Sequence, residues 1–224
     1  MTTKQFLEMQ EKLLSTLPGF ALGKRLIYSQ CPKYVLRGLS FQGSSFNKKS
    51  FYVTVFAMAL YVPSEHLAFV ICKRLRDQNG GERWNFETSK VVELLGSAIR
   101  AQAVPLLARV SSLQGFCDQL GNRIHVNPNI TVANAFGLVL LGKESVAGQL
   151  MDELASRLDF NVGWQRTIAD QVNLIKRKLN HSGDRARQQL EMWANETLDQ
   201  IGTQLGNHVV AHDSLRNTLA QEQL

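Results

Sequence analysis

Ionisable side chains are unevenly distributed along this chain, and the imbalance limits the chemistry that its first quarter can perform. From Lys12 to Ser64 the sequence contains no Asp and no Glu. The same stretch carries these cations: Lys12, Lys24, Arg25, Lys33, Arg37, Lys48 and Lys49. Carboxylates are common general bases and the usual ligands of hard metal ions. The stretch therefore lacks acid-based catalytic groups and has an unopposed positive field.

Two groups of cations are candidate binding residues for an acidic partner. The first group lies in the acid-free stretch: Lys24, Arg25, Arg37, Lys48 and Lys49. The second group, Lys176, Arg177 and Lys178, ends a predicted helix, where positive charge also offsets the helix dipole. A solvated basic face is the alternative for both groups, because a charge pattern alone does not specify a ligand.

A polar loop with Ser44, Ser45, Lys48 and Lys49 has side chains that can contact phosphate oxygens. No Gly-x-x-x-x-Gly-Lys pattern accompanies them, so the sequence does not support a nucleotide-binding loop. Residues of these types also populate ordinary hairpin turns for local reasons. A solvated hairpin loop is the simpler interpretation.

Cations and aromatic residues alternate on the neighbouring predicted strands: Tyr34, Arg37, Phe41, Lys48 and Tyr52. Proteins that bind single-stranded nucleic acid combine such cations with aromatic stacking platforms. Aromatic strand residues also belong to protein cores, and the recognition-module signatures of nucleic-acid-binding domains are missing. Nucleic-acid binding is therefore an alternative function rather than the first one.

A metal-dependent nuclease built on this sheet would need at least two carboxylates on adjacent strands to hold its ions. The acid-free stretch removes them from the first three predicted strands. The nearest acids are Asp77, Glu82 and Glu87, which indicate a polar loop and a helix start, where negative charge is favourable. The sequence therefore argues against this class of enzyme.

The histidines and cysteines form no recognisable active-site pattern. His208 and His212 are spaced to share one helical face, but two ligands do not make a zinc site and no third is evident. Cys117, beside Asp118 and far from His125, lacks a nucleophile signature, so packing is its simpler role. Gly-x-Ser-x-Gly, dinucleotide-binding and His-Glu-x-x-His motifs are also missing. We expect no cofactor and no metal.

The composition is that of a basic protein with ample material for a core. The chain has 224 residues, 44% of them hydrophobic, and a formal net charge of +6. This charge favours acidic partners, whether nucleic acid, an anionic membrane surface or an acidic protein. The three cysteines are widely spaced, so we expect neither a disulfide framework nor a zinc site, and a reducing cytoplasm fits best. The sequence shows neither a secretory signal nor a run of membrane-spanning length.

The first half of the chain has the pattern of a helix followed by a sheet. Phe6, Met9, Leu13 and Leu17 recur at helical spacing, and Pro18 ends the helix. Strands are predicted over residues 20–28, 34–41, 51–62 and 67–74 from alternating or continuous apolar residues. Trp84 and Phe86 form a short edge segment or plug the sheet end. A long helix capped by Thr88 or Ser89 follows, with a kink at Pro105.

The second half is predicted to be helical throughout. Apolar stripes indicate helices over residues 132–141, 146–158, 164–179 and 190–205. The sequence therefore predicts an α+β protein: a largely antiparallel four-stranded sheet with flanking helices, followed by an all-helical C-terminal lobe. The predicted boundary divides an α+β sheet domain, residues 1–126, from the helical lobe, residues 127–224, and the two can also pack as one unit.

The element order of the first third resembles a bacterial domain-of-unknown-function family of the 4304 type. The resemblance covers residues 6–90 and depends on these segments: Gly19-Phe20, Leu26-Ile27-Tyr28, Leu39-Ser40-Phe41-Gln42, Ser44-Ser45, Phe51-Tyr52-Val53 and Arg74-Leu75. It implies an antiparallel sheet packed by helices and supplies no catalytic residues. The long helical half departs from the compact form of that family. Such domains resemble small accessory proteins of bacterial toxin or defence systems, which is an association rather than a mechanism.

The sequence therefore favours a non-catalytic protein-binding module with an acidic protein partner. An immunity or accessory subunit of a bacterial toxin or anti-phage defence system fits the resemblance. The alternative is a nucleic-acid-binding accessory protein that uses a basic sheet face, and an enzyme of unrecognised type comes third. We expect a cytoplasmic protein that does not bind membranes.

Overall fold

The first helix has the apolar stripe that its sequence predicts. The computed structural model describes residues 3–205, and α1 runs from Thr3 to Leu14. Phe6, Met9 and Leu13 are buried, and their spacing places them on one helical face.

In the described part of the chain, six strands form one antiparallel sheet. Five follow one another in the order β1-β2-β3-β4-β5, and β6 also pairs with β4. The strands are β1 (Phe20–Leu22), β2 (Leu26–Ser29), β3 (Val35–Gly43), β4 (Ser50–Ala59), β5 (Ile71–Arg74) and β6 (Trp84–Asn85). Helices flank this sheet and a helical region follows it, so the predicted α+β class is confirmed.

The predicted count of four strands is too low, and two predicted boundaries are wrong. Residues 20–28 form two strands, because a turn at Gly23 folds the chain back, and the Gly23 amide donates to the first carbonyl of β2 at 2.8 Å. The strand predicted over residues 67–74 begins only at β5. Its first aromatic residue, Phe69, instead stacks on Phe56 with ring centroids 4.2 Å apart. Alternating apolar residues do not distinguish one strand from a tight hairpin.

The helices after the sheet agree with the predicted pattern except at their joints. They are α2 (Val91–Ala98), a π-helical turn (Ile99–Ala103), α3 (Val104–Arg109), α4 (Leu113–Leu120), α5 (Pro128–Leu140), α6 (Glu144–Ala155), α7 (Gly163–His181) and α8 (Gly183–Leu205). The interruption predicted at Pro105 takes the form of the π turn, and Pro105 lies in the first turn of α3, where its missing N–H costs little. The predicted hydroxyl cap of α2 is wrong, since the cap residue is Lys90, with a φ of 62° and no side-chain hydrogen bond.

The helical stretch Val91–Arg109 is long and apolar enough to cross a membrane by length and composition. The expectation that no run has membrane-spanning length is therefore wrong for this stretch. A third of it, 33%, is buried inside the protein. Core helices of soluble proteins meet the same criteria, so this property does not assign a membrane span.

The sheet has an apolar core on each side. One core lies between one face of the sheet and the helices α1, α2 and α3, and it includes Leu39 of β3 and Val53 of β4. The other packs α4 to α8 against the opposite face, including Leu36, Phe56 and Met58. The alternation of side chains along each strand divides its apolar residues between these two cores.

Close packing joins the sheet to α5. The Tyr61 hydroxyl, just beyond β4, donates to the Ala133 carbonyl at 2.8 Å. A Cβ atom at Gly137 would lie 2.5 Å from the Cys117 Sγ atom and 2.6 Å from the Tyr61 hydroxyl oxygen. Only glycine fits at this position, because carbon atoms cannot approach so closely.

Helix α8 also contacts several loops of the sheet. Gln204 donates to the Glu65 carbonyl at 2.8 Å, across 139 positions of sequence. The turn at Gly23 lies beside the last described helical residue, since a Cβ atom there would be 2.6 Å from the Leu205 carbonyl oxygen. Helix α8 therefore contacts the turn between β1 and β2 and the loop after β4.

Candidate docking surface

Two turns project from the same end of the sheet. One turn joins β1 to β2, and the other joins β3 to β4. Leu26, at the start of β2, is opposite Ser40, and Gly43, at the end of β3, is opposite Phe51. Because neighbouring strands are antiparallel, this register places both turns at the same end of the sheet. We call this end, residues 23–25 together with 44–49, the hairpin end.

The β3–β4 loop is held in shape by its own hydrogen bonds. The Ser44 hydroxyl accepts from the Phe46 and Asn47 amides, both at 3.3 Å. The Asn47 side chain accepts from the Lys49 amide at 2.9 Å, and the Ser44 amide donates to the Ser50 carbonyl at 2.9 Å. The Ser44 hydroxyl is thus occupied by the loop backbone, as in an ordinary turn, rather than presented to a phosphate.

This loop presents Phe46 to solvent with 98% of its surface exposed. Among residues 3–205 the side chain has almost no packing partner, although burying a Phe side chain is favourable by about 1.5–3 kcal/mol. Aromatic residues, Phe among them, are enriched in the interfaces between proteins. Phe46 is not among the residues predicted from sequence, although a lone aromatic residue between turn-forming residues is a signal for it.

The cations of the hairpin end are poorly neutralised. Lys24, Arg25, Lys48 and Lys49 are all exposed. Lys49 pairs with Glu87 at 2.6 Å, and the Arg25 guanidinium lies over the Phe6 ring at 5.5 Å. Within residues 3–205, Lys24 and Lys48 have no carboxylate within ion-pair distance. The acid-free stretch therefore produces a positive surface at the hairpin end.

Arg37 does not belong to that surface. It lies in β3, on the face covered by α1 to α3, and its guanidinium donates to the Leu107 carbonyl at 2.9 Å. The same group lies 5.2 Å from the centre of the Phe20 ring. Desolvation by burial lowers the pKa of Arg37. The structure thus separates Arg37 from Lys24, Arg25, Lys48 and Lys49, with which the sequence grouped it.

The cations of α7 have carboxylates nearby. Lys176 forms an ion pair with Asp152 of α6. Arg177 is exposed and Lys178 is half-buried in the last turns of the helix. Farther along, Arg187 pairs with Glu144 at 2.7 Å and with Asp184 at 2.8 Å. This region is a mixed-charge surface rather than a purely positive one.

The alternating cations and aromatic residues do not form one stacking platform. Phe41 is buried against α1, and the Tyr34 hydroxyl donates to Glu191 of α8 at 2.7 Å. Burial and the Glu191 contact raise the pKa of Tyr34. Tyr52 is half-buried on the face of the sheet opposite Phe41, and the Arg74 guanidinium lies 4.5 Å from the centre of its ring.

The acids near the sheet are engaged separately. Asp77 accepts from the Asn79 and Gly81 amides at 2.9 and 2.8 Å. Glu82 pairs with Arg74 at 3.4 Å and Arg76 at 3.5 Å. Within residues 3–205, no cluster of three or more His, Cys, Asp or Glu side chains could hold a metal ion. His208, His212 and Asp213 lie outside the described residues.

The cysteines show no catalytic arrangement in the described part of the chain. Cys117 is buried, and burial raises the pKa of its thiol to about 12, so the thiolate is disfavoured. The Nε2 atom of His125 lies 2.9 Å from the Leu120 carbonyl oxygen. Cys31 and Cys72 are free and exposed.

Comparisons of the chain with models of protein families, with curated proteins and with solved structures give no match. The resemblance of residues 6–90 to the 4304-type family therefore stays a prediction, and the candidate surface depends on the geometry of this chain alone.

Proposed function

We propose that this protein is a non-catalytic protein-binding module that docks an acidic partner on its hairpin end. The observation that supports this proposal is Phe46, which is 98% exposed in a loop that its own hydrogen bonds hold in shape. A rigid loop loses little conformational entropy on binding, so most of the gain from burying the ring is kept.

The surrounding charges favour an acidic partner over a neutral one. Lys24 and Lys48 lack ion-pair partners among residues 3–205, and Glu87 neutralises only Lys49. Complementary charges raise the rate of encounter and exclude partners of the same sign. A partner with an apolar pocket rimmed by Asp or Glu side chains would fit both features.

The resemblance supplies the biological setting of the proposal. An immunity or accessory subunit of a bacterial toxin or anti-phage defence system acts by holding another protein, which needs a surface and no active site. The acid-free sheet and the buried Cys117 thiol agree with a non-catalytic role.

Affinity purification from the native host tests the proposal with three versions of the full chain. These are the wild type, Phe46→Asp, and the matched α7 variant Arg177→Glu/Lys178→Glu. The expected result is a protein that the wild type and the α7 variant retain and the Phe46 variant loses, and that forms a binary complex from purified components. If no protein shows this pattern, the proposal is wrong.

Nucleic-acid binding is the second candidate, since an exposed aromatic ring among lysines can also stack on a base. Association through phosphates weakens steeply with salt, whereas an apolar anchor is much less sensitive. Recovery of nuclease-sensitive RNA or DNA on the wild type, lost with Lys24→Glu/Lys48→Glu and with rising salt, would favour this candidate over the protein partner.

A further inference from the structure

Strand β5 leaves one edge of the sheet open. Within the part of the chain that the structure describes, β5 is the last strand of the path and pairs with β4 on one side only. Cys72, Lys73 and Arg74 are all exposed. An uncovered edge of this kind exposes unpaired backbone groups that can accept another strand.

The hydrogen bonds show which backbone groups face outward. The Leu75 amide donates to the Val53 carbonyl of β4 at 2.8 Å. Because successive backbone groups of a strand point to opposite sides, Lys73 also faces β4, whereas Cys72 and Arg74 face away from it. Arg76 is the next outward residue.

The outward groups of Arg76 are satisfied by a side chain. Its amide donates to the Gln102 side-chain oxygen at 3.1 Å, and its carbonyl accepts from the Gln102 side-chain nitrogen at 2.7 Å. Gln102 lies in the π turn and takes the place that a neighbouring strand would occupy. Within residues 3–205, Cys72 and Arg74 have no equivalent partner, so the edge is open for these two residues and closed after them.

The charges of this edge select its occupant. Lys73, Arg74 and Arg76 are exposed cations; Arg74 and Arg76 share Glu82, whereas Lys73 has no carboxylate within ion-pair distance among residues 3–205. A second copy of the chain that paired here would place these cations against their own counterparts, and like charges across paired strands are destabilising. An extended segment that carries Asp or Glu meets no such repulsion.

We propose that the outer edge of β5 accepts an acidic extended segment of another protein as an added antiparallel or parallel strand. The backbone groups of Cys72 and Arg74 pair with the segment, and the carboxylates on one face of the segment meet Lys73. Gln102 ends the pairing at Arg76, so the added strand is short. This is the mode of recognition called strand addition. It does not depend on the hairpin end or on Phe46.

Cys72 allows a direct test by reversible disulfide tethering, with exposed Cys31 as the control in the same chain. Each probe peptide has one cysteine and is supplied as a mixed disulfide with a small thiol, which the protein thiolate displaces. The first peptide alternates Glu with Val, and the second replaces every Glu by Lys. The third retains Glu but has N-methyl groups on the amides that would face β5.

The first peptide should be captured at Cys72 about tenfold more than the Lys peptide, and the N-methylated peptide should lose most of that advantage, because it cannot form the backbone hydrogen bonds. Cys31 lies near Lys33, so attraction by charge alone gives the same preference at both cysteines. Equal preference at Cys31 and Cys72, or equal capture of the N-methylated peptide, would overturn the proposal.

Hydrogen exchange provides a second readout on the tethered full chain. The Arg74 amide should exchange about tenfold more slowly with the first peptide bound than with the N-methylated one. Unchanged exchange at Arg74 would contradict strand addition. A dimer of the untethered chain that dissociates on Arg74→Pro would instead assign the edge to a second copy. Phe46→Asp should leave every tethering result unchanged, which separates this inference from the proposed function.

Discussion

The hairpin end and the cationic run of α7 look alike in sequence but differ in their surroundings. At the hairpin end, Lys24 and Lys48 have no carboxylate within ion-pair distance among residues 3–205, because the turns that carry them and the strands beside these turns come from the acid-free stretch. On α7, Lys176 meets Asp152 of the neighbouring helix. A run of cations therefore predicts a binding surface only where the elements packed beside it also lack acids.

The largest expected effect comes from the apolar anchor. Phe46→Asp should weaken binding of the captured partner about 30-fold or more, the usual cost of removing an aromatic hot spot. Titration calorimetry with the purified partner measures this change. The stability of the free protein should be unaffected, since the side chain is exposed.

Val126→Asp is the matched control, because Val126 is also fully exposed, in the loop before α5. It should bind the partner as the wild type does. Protection of buried Cys117 from a thiol reagent reports that both variants are folded. If both substitutions weakened partner binding equally, the hairpin end would not be the specific docking surface.

The second prediction compares a covered cation with an exposed one. Arg37→Met should lower the free energy of unfolding by about 1.5–3 kcal/mol, because the Leu107 carbonyl loses a charged donor in a part-buried position. Urea denaturation measures the difference. Lys48→Met, on the exposed loop, should change it by less than about 0.5 kcal/mol. If Arg37→Met lowered the free energy of unfolding no more than about 0.5 kcal/mol, as expected for Lys48→Met, the Arg37 contact would not stabilise the fold.

The third prediction reverses charge at the two regions. Lys24→Glu/Lys48→Glu should slow association with the acidic partner about tenfold near physiological salt, with little change in dissociation. Stopped-flow mixing at several salt concentrations separates the two rates. Arg177→Glu/Lys178→Glu should change association by less than about threefold, since nearby acids already reduce the local field. A larger effect from the α7 variant would transfer the docking surface to that helix.

The smallest effects concern exposed ion pairs. Lys49→Ala removes the pair with Glu87, and Glu8→Ala removes the exposed pair with Lys4 on α1. Each should cost less than about 1 kcal/mol of stability and vanish in high salt. Thermal unfolding at low and high salt checks this. A loss that persists in high salt at Lys49 would show that its contact is more than a surface ion pair.

The helices and the central strand can be predicted from sequence here, because α1 has an apolar stripe at helical spacing and β4 is a continuous apolar run. The division of the first predicted strand at Gly23 cannot, since alternating apolar residues occur both in one strand and in a tight hairpin. Sequence placed Lys24, Arg25, Lys48 and Lys49 in a positive region, which the register of the strands explains.

Other parts of the site need tertiary structure. Arg37 has the same strand parity as Leu39 and Phe41, which identifies its face, but only the fold shows that α3 covers that face. The open edge of β5 and its closure by Gln102 likewise depend on which strand lies last in the sheet. Local residue patterns contain no information about that order.

Contacts between α8 and the early strands have a consequence for synthesis of the protein. The hydrogen bond from Tyr34 to Glu191 spans 157 positions, and the one from Gln204 to Glu65 spans 139. During translation the apolar face of the sheet emerges long before the last helix that covers it. Exposed apolar surface on a partly made chain is prone to aggregation. Nascent chains that still lack α8 should therefore depend on chaperones until α8 emerges from the ribosome and completes the cover of that face.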